Sequence, residues 1–288
     1  MNHSEYISAL LKTVDAAAIK SNNYRILFDP VNGSAIEAGR MLFSQIGRLV
    51  MINDRSGQKP PRPAEPRAKT LTETAKQVVK NHCDLGIATD VDADRVLFID
   101  EVGVVLSEDL SGAILGEAEI KTKGDILVTP LNSSGIFKAV IEKAGGKVVE
   151  SRVGPPEITA EILKTKAVFG YEESGKYFFA REFIWADGLL ASLKMLEVMA
   201  KTEKSLSQIR QSYPKYYQVK LAFDCLFEKM PRRWVGKGEK QIFGDSWLFI
   251  RASGTEPLIR IFSDSPKLKL ARDLAEKGKR MVEELCAG

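Results

Sequence analysis

Between residues 90 and 95 the chain reads DVDADR, three carboxylates at alternate positions with small or apolar residues between them. In an extended loop that spacing lets Asp90, Asp92 and Asp94 converge on one hard cation, and an oxygen-only donor set selects Mg²⁺, Mn²⁺ or Ca²⁺. With Glu101, the three aspartates also fit positions 1, 3, 5 and 12 of an EF-hand. That assignment fails: Arg95 stands where the sharp turn needs glycine, and the flanks DLGIA and VLFID read as strands. A solvated acidic turn is the plain alternative.

Two further segments have chemical potential. In YEESGK, Glu172, Glu173, Ser174 and Gly175 set carboxylates and a hydroxyl in a tight turn, suited to paired hydrogen bonds with sugar hydroxyls. A hairpin turn would use the same residue types. In RASGTEPLIR, Arg251, Ser253, Gly254, Thr255 and Arg260 combine two guanidiniums, two hydroxyls and a glycine whose neighbouring amides can point inward, which makes a phosphate cradle. The Gly-x-x-x-x-Gly-Lys pattern of a nucleotide P-loop is missing, and an ordinary turn between strands stays open as a reading.

The elements that must position these loops repeat. YRILFDPVNGSAIEAGRMLFSQIGRLVMIN reads as strand, turn, helix, strand, and GDILVTPLNSSGIFKAVIEKAGGKVVES repeats it a hundred residues later. Ile26, Leu27, Pro30, Asn32, Ser34 and Ile36 match Ile126, Leu127, Pro130, Asn132, Ser134 and Ile136. In each copy a short apolar strand then leads into one of the acidic clusters, and open α/β sheets bind ligands at the carboxyl ends of their strands. A helix is expected across the first 20 residues, with Tyr6, Leu10, Leu11, Val14 and Ile19 on one face, and QKPPRPAEPR is expected as a surface loop. After Tyr216 come the strands QVKLAFDCLF, SWLFIR and LIRIF. A final helix follows, with Leu268, Ala271, Leu274, Ala275, Met281, Val282 and Leu285 on one side.

The expected fold is therefore α/β: two similar α/β domains with mixed sheets, followed by a small α+β C-terminal domain. The expected divisions are residues 1–112 with the metal loop, 113–213 with the sugar loop, and 214–288 with the phosphate loop. At 288 residues and 44% hydrophobic the chain has material for real cores. Only two histidines, His3 and His82, exclude a multi-histidine zinc site or a Ser-His-Asp hydrolase. Three scattered cysteines, Cys83, Cys225 and Cys286, argue for reduced thiols, with Cys83 as a small core residue. The net charge of +4 suits anionic small molecules as well as nucleic acid and does not choose between them. With no long apolar run, a cytoplasmic location and no membrane partner are expected; a nucleic-acid partner is not expected either.

Together the three loops resemble those of the α-D-phosphohexomutases: phosphoglucomutases, phosphomannomutases and phosphoglucosamine mutases. DVDADR is similar to the family's metal loop, YEESGK to its Gly-Glu-x-Ser-Gly sugar loop, and RASGTEPLIR to its Arg-x-Ser-Gly-Thr-Glu-Pro phosphate loop, in the same order; FDPVNG and PPRPAEP also resemble family segments. The resemblance implies intramolecular phosphoryl transfer on a hexose phosphate, with Asp90, Asp92 and Asp94 holding Mg²⁺ or Mn²⁺. It further implies that Arg95 contacts the moving phosphoryl group and that Glu172, Ser174 and Lys176 face the sugar. Arg251, Ser253, Gly254, Thr255 and Arg260 would grip the other phosphate. Two departures stand out: Lys176 replaces a common histidine, and Pro155 and Pro156 follow Val-Gly where a basic residue is frequent. No serine here lies in the family's Thr-x-Ser-His-Asn-Pro context. The resemblance thus implies a counterpart of the second to fourth family domains, with the phosphoserine domain expected from a separate polypeptide. The alternative is a non-catalytic homologue that binds sugar phosphate or metal in a regulatory or structural role.

Overall fold

The computed structural model describes residues 2–226, 230–253 and 256–286. Two short helices, α1 (His3–Leu11) and α2 (Ala16–Asn22), precede β1 (Arg25–Asp29), α3 (Ile36–Ile46), β2 (Arg48–Met51), α4 (Thr72–Lys80), β3 (Leu85–Thr89) and β4 (Val96–Asp100). The expected single N-terminal helix is thus two. Asp15 accepts the Ala18 amide at 2.9 Å and starts a new helix, a capping choice that competes with continuing the first.

The second unit follows as α5 (Glu108–Ala118), β5 (Ile126–Pro130), α6 (Gly135–Lys143), β6 (Lys147–Ser151), α7 (Pro155–Thr165), β7 (Phe169–Glu172), β8 (Lys176–Phe179), α8 (Gly188–Thr202) and α9 (Leu206–Ser212). The sheet orders, β2-β1-β3-β4 and β6-β5-β7-β8, are the same, with parallel inner pairs and an antiparallel last pair in both. The sequence repeat is a repeat of topology. The flanking strands β3 and β4 also remove the EF-hand, which needs helices there.

One hydrophobic core runs through both sheets. Helix α8 is apolar nearly all round and buries Leu189, Leu190, Leu193, Met195 and Leu196, as a helix enclosed by other elements must. The rings of Phe98 in β4 and Tyr177 in β8 stack at 6.3 Å between centroids. Because these two strands flank the acidic loops, their shared core fixes the loops relative to each other.

The third sheet is antiparallel, in the order β10-β11-β12-β9, from β9 (Tyr217–Asp224), β10 (Glu239–Phe243), β11 (Ser246–Ala252) and β12 (Leu258–Ser265), with α10 (Leu268–Cys286) behind it. Strand β10 escapes sequence reading because Glu239, Lys240 and Gln241 give an edge strand no apolar run. Leu248, Ile250, Ile259 and Ile261 pack with Val282 of α10, while Trp247, Phe249 and Phe262 on the other face meet Leu131 and Val153 of the second unit. On α10, Ala271, Leu274, Ala275 and Val282 are buried as expected, whereas Leu268 and Leu285, at the helix ends, are exposed. Cys83 is a buried free thiol, but Cys225 is disulfide-bonded, which corrects the expectation of reduced thiols. Spacing along a chain does not disclose which distant segments meet. No helix among the described residues is long and apolar enough to cross a membrane.

Candidate functional site

The DVDADR loop joins β3 to β4. Its chain reversal uses Ala93 at φ 60°, a left-handed conformation that costs an alanine about 1–2 kcal/mol, and it is held from outside. The Ser34 amide donates to Val91 O at 2.7 Å and the Gly188 amide to Ala93 O at 2.9 Å. Gly33 is required at the first contact, since a Cβ there would lie 2.4 Å from Val91 O. So clamped, Asp90, Asp92 and Asp94 each offer a carboxylate oxygen within 4.8 Å of the others. That all-oxygen set fits a hard divalent cation.

Asp90 is the buried member and Asp92 the exposed one. Burial pushes the Asp90 carboxyl up to about 6; the Arg95 amide, donating at 3.1 Å, opposes this, and the charges of Asp92 and Asp94 add to it. The Arg95 guanidinium lies 3.6 Å from Asp90 and 3.9 Å from Asp94.

A part of the site to which motif reading gave no role is the proline-rich segment. It is more than a surface loop, because Arg62 turns inward: its Nε donates to Asp29 at 2.9 Å and its Nη2 to Thr89 O, also at 2.9 Å, the residue just before Asp90. Glu65 accepts from Arg95 at 2.7 Å and from Arg67 at 2.8 Å, while Arg67 reaches Glu108 at 3.2 Å and Glu173 O at 3.3 Å. Beside the likeness of PPRPAEP to a family segment, the alternating charges of PRPAEPR were the available signal, and they do not reveal direction.

The YEESGK loop closes the equivalent hairpin, β7 to β8. Ser174 donates to Glu172 at 2.6 Å with both side chains buried. Gly175 has φ 87°, and a Cβ there would meet Val96 O at 2.9 Å. Its own carbonyl accepts from the Val96 amide at 2.9 Å, which ties this loop to the DVDADR loop. Beside that bond the Lys176 ammonium forms an ion pair with Asp94. The structure thus brings Asp90, Asp92, Asp94, Arg95 and Lys176 into one cluster, with Glu172 and Ser174 on the adjoining hairpin.

Arg251 and Arg260 are cross-strand partners in β11 and β12, both half-buried. They share the face carrying Phe249 and Phe262, the face turned towards the second unit. On the same face of β9, Lys220 pairs with Glu173 of the YEESGK loop, a link that sequence reading missed. Burial, then the proximity of Arg260, lowers the Arg251 guanidinium below its usual value. Its Nε donates to Gly236 O at 3.1 Å, Arg260 pairs with Glu256 at 2.8 Å, and the buried Ser253 hydroxyl accepts the Glu256 amide at 3.2 Å. Gly254 and Thr255, expected in the same cradle, lie outside the described residues.

A mixed-sheet α/β unit repeated with its acidic loops joined, followed by a sheet that presents paired arginines, is the layout of a phosphohexomutase. Residues 4–103 match the phosphoglucomutase/phosphomannomutase α/β/α domain II, residues 100–217 match domain III, and residues 196–279 match the C-terminal domain of that family. The chain belongs to the phosphoglucomutase/phosphomannomutase family. It is 31% identical to a phosphoglucomutase/phosphomannomutase of Thermococcus kodakarensis over 98% of its own length and 66% of that relative's. The chain therefore spans just under two thirds of that protein. In fold it is similar to the crystal structure of a family protein from Burkholderia thailandensis (TM-score 0.84, 17% identity, 98% of this chain and 64% of that one). It is also similar to an Aspergillus fumigatus N-acetylphosphoglucosamine mutase solved with GlcNAc-6P and magnesium (TM-score 0.71, 15% identity, 98% and 65%).

Proposed function

We propose that this chain supplies the metal, sugar and phosphate groups of a phosphohexomutase of the phosphoglucomutase/phosphomannomutase type. The observation that carries the reading is the joining of the two equivalent hairpin loops, which sets the carboxylates of Asp90, Asp92 and Asp94 beside Lys176 and the Glu172–Ser174 pair. Asp90, Asp92 and Asp94 would hold Mg²⁺, which neutralises charge on a transferring phosphoryl group.

Every other role falls to side chains. Arg95, steadied by Glu65, is placed to contact the transferring group. Glu172, aligned by Ser174, accepts sugar hydroxyls, and a site built to hydrogen-bond them rejects a ligand without them. Arg251 and Arg260 grip the phosphate that does not move, with guanidinium geometry that lysine cannot copy. The phosphoryl group must wait on the protein between turnovers, and no serine of the 288 residues has the family's His-Asn-Pro context. We assign that role to polypeptide outside these residues.

Calorimetric titration of the chain with Mn²⁺ tests the metal site. Weak binding that Asp92→Asn weakens further is expected, and an unchanged isotherm would overturn the assignment. Arg251→Lys should weaken glucose 1-phosphate binding several-fold; equal affinity would make the loop a mere turn. Alone, the chain should not convert glucose 1-phosphate to glucose 6-phosphate, even with glucose 1,6-bisphosphate present, and robust turnover abolished by Asp92→Asn would overturn the donor assignment. One observation favours the non-catalytic reading, the ion pair that engages Lys176 with Asp94. If a separately supplied phosphoserine domain restores turnover, that reading fails.

A further inference from the structure

We propose that Lys176 is a built-in competitor for the cation site, so that a divalent ion must displace its ammonium from Asp94 in order to bind. The proposal rests on the reading of Asp90, Asp92 and Asp94 as the metal ligands.

Two cations border those carboxylates, and they differ in what else they touch. The charge of Arg95 is shared: its guanidinium donates to Glu65 at 2.7 Å and stands 3.6 Å and 3.9 Å from Asp90 and Asp94. Lys176 has one ion pair among the described residues, and it is with Asp94. Its side chain is 13% exposed against 33% for Asp94, so the ammonium is mostly covered while the carboxylate stays in contact with water. Lysine suits such a role because its ammonium is a compact point charge on a flexible stem, free to move without breaking a planar bidentate contact.

The backbone holds the competitor in place. The Val96 amide donates to Gly175 O at 2.9 Å, which fixes the residue before Lys176 against the end of the metal loop. Gly175 is at φ 87° with no room for a Cβ beside Val96 O, so this close approach is built into the turn. A metal that takes Asp94 therefore releases the ammonium within the YEESGK loop, next to Glu172 and Ser174, where an anionic ligand can receive it. Metal and sugar-phosphate affinities are then coupled, and the coupling is reciprocal.

The size of the competition follows from Coulomb's law. A unit charge about 6 Å from a divalent ion in a water-like dielectric opposes its binding by about tenfold. Lys176→Met and Lys176→Gln should each bind Mn²⁺ about tenfold more tightly than the unaltered chain in calorimetric titration. Lys176→Arg, which keeps the charge, should stay within about twofold. Asp92→Asn serves as the reference for the site, and thermal unfolding establishes which variants are folded. Either neutral variant, if folded, suffices. Affinity unchanged or weakened in it, with Asp92→Asn still impairing binding, would overturn the competitor and leave the metal site standing. Equal tightening in Lys176→Arg would trace the effect to packing and overturn it as well. Mn²⁺ binding insensitive to Asp92→Asn would overturn the metal site itself.

Discussion

The β3–β4 and β7–β8 loops occupy the same place in two units of identical topology, yet residues 90–95 and residues 173–175 are built in different ways. The short loop has a closure of its own, the Gly175 amide donating to Glu172 O at 3.1 Å and Ser174 bonding Glu172, beside its outward links to Val96, Arg67 and Lys220. The long loop collects three like charges and a strained alanine, so it borrows support from Ser34, Gly188 and Arg62. Beneath the loops the contrast recurs at positions matched by the repeat. Asp29 is fully buried and bonded to Arg62 and Thr74, whereas Thr129, an uncharged residue, donates to the hydroxyl of Ser133 at 2.6 Å. The repeated topology supplies the frame, and the charge concentrated in one copy dictates how much bracing that copy requires.

The largest expected effect comes from removing the brace of the first loop. Arg62→Met would leave Asp29 as a buried charge without its partner, at a cost of about 3–5 kcal/mol. Urea unfolding should show it. A loss below about 1 kcal/mol would mean that Thr74 and the Val31 amide suffice for Asp29.

Gly175→Ala tests the junction of the two loops. A positive φ and a Cβ at 2.9 Å from Val96 O together should cost about 2 kcal/mol and weaken Mn²⁺ binding, since the metal loop would have to shift. Retained metal affinity would show that the loops are set independently.

Another buried carboxylate, Asp264, extends the contrast, for it has the Gly135 amide at 2.9 Å and one oxygen with no partner among the described residues. Burial raises its carboxyl to about 6, with Ser134 and the Gly135 amide opposing. An aspartate that titrates near 3.9 unfolded and near 6 folded binds its proton more tightly in the native state. It therefore adds stability that is full below about pH 4 and is lost as the pH rises through about 6. Asp264→Asn should flatten that slope in urea midpoints taken from pH 4 to pH 7; an unchanged slope would assign the effect elsewhere.

The smallest effect is expected where the second unit answers Asp29. Thr129→Val removes one hydroxyl bond, while Ser133 keeps its bond to Pro130 O at 2.8 Å, so about 1 kcal/mol should be lost. A loss as large as that of Arg62→Met would erase the distinction between the two copies.

Much of this architecture was legible because it rests on local periodicity. The strands β1 and β5, the helices behind them and both acidic loops follow from apolar runs and turn residues near Pro30 and Pro130. Elements without that signature were missed: β10, a polar edge strand, and the division of the first helix at Asp15. The clustering of Asp90, Asp92 and Asp94 was readable from spacing alone. Lys220, Glu65 and Arg62 were not, because each acts through a partner far along the chain: Glu173, Arg95 and Asp29.

The sequence by itself determined the fold class, the duplication and the chemical character of three loops, since strand alternation, turn chemistry and donor type are properties of a few neighbouring residues. Only the tertiary structure decided that the first two loops touch, that Lys176 is engaged with Asp94, and that the proline-rich segment is the brace. Those outcomes depend on one core shared by two sheets, with Phe98 stacked on Tyr177 and α8 enclosed between them. Packing sets distances between residues that the chain order leaves unrelated.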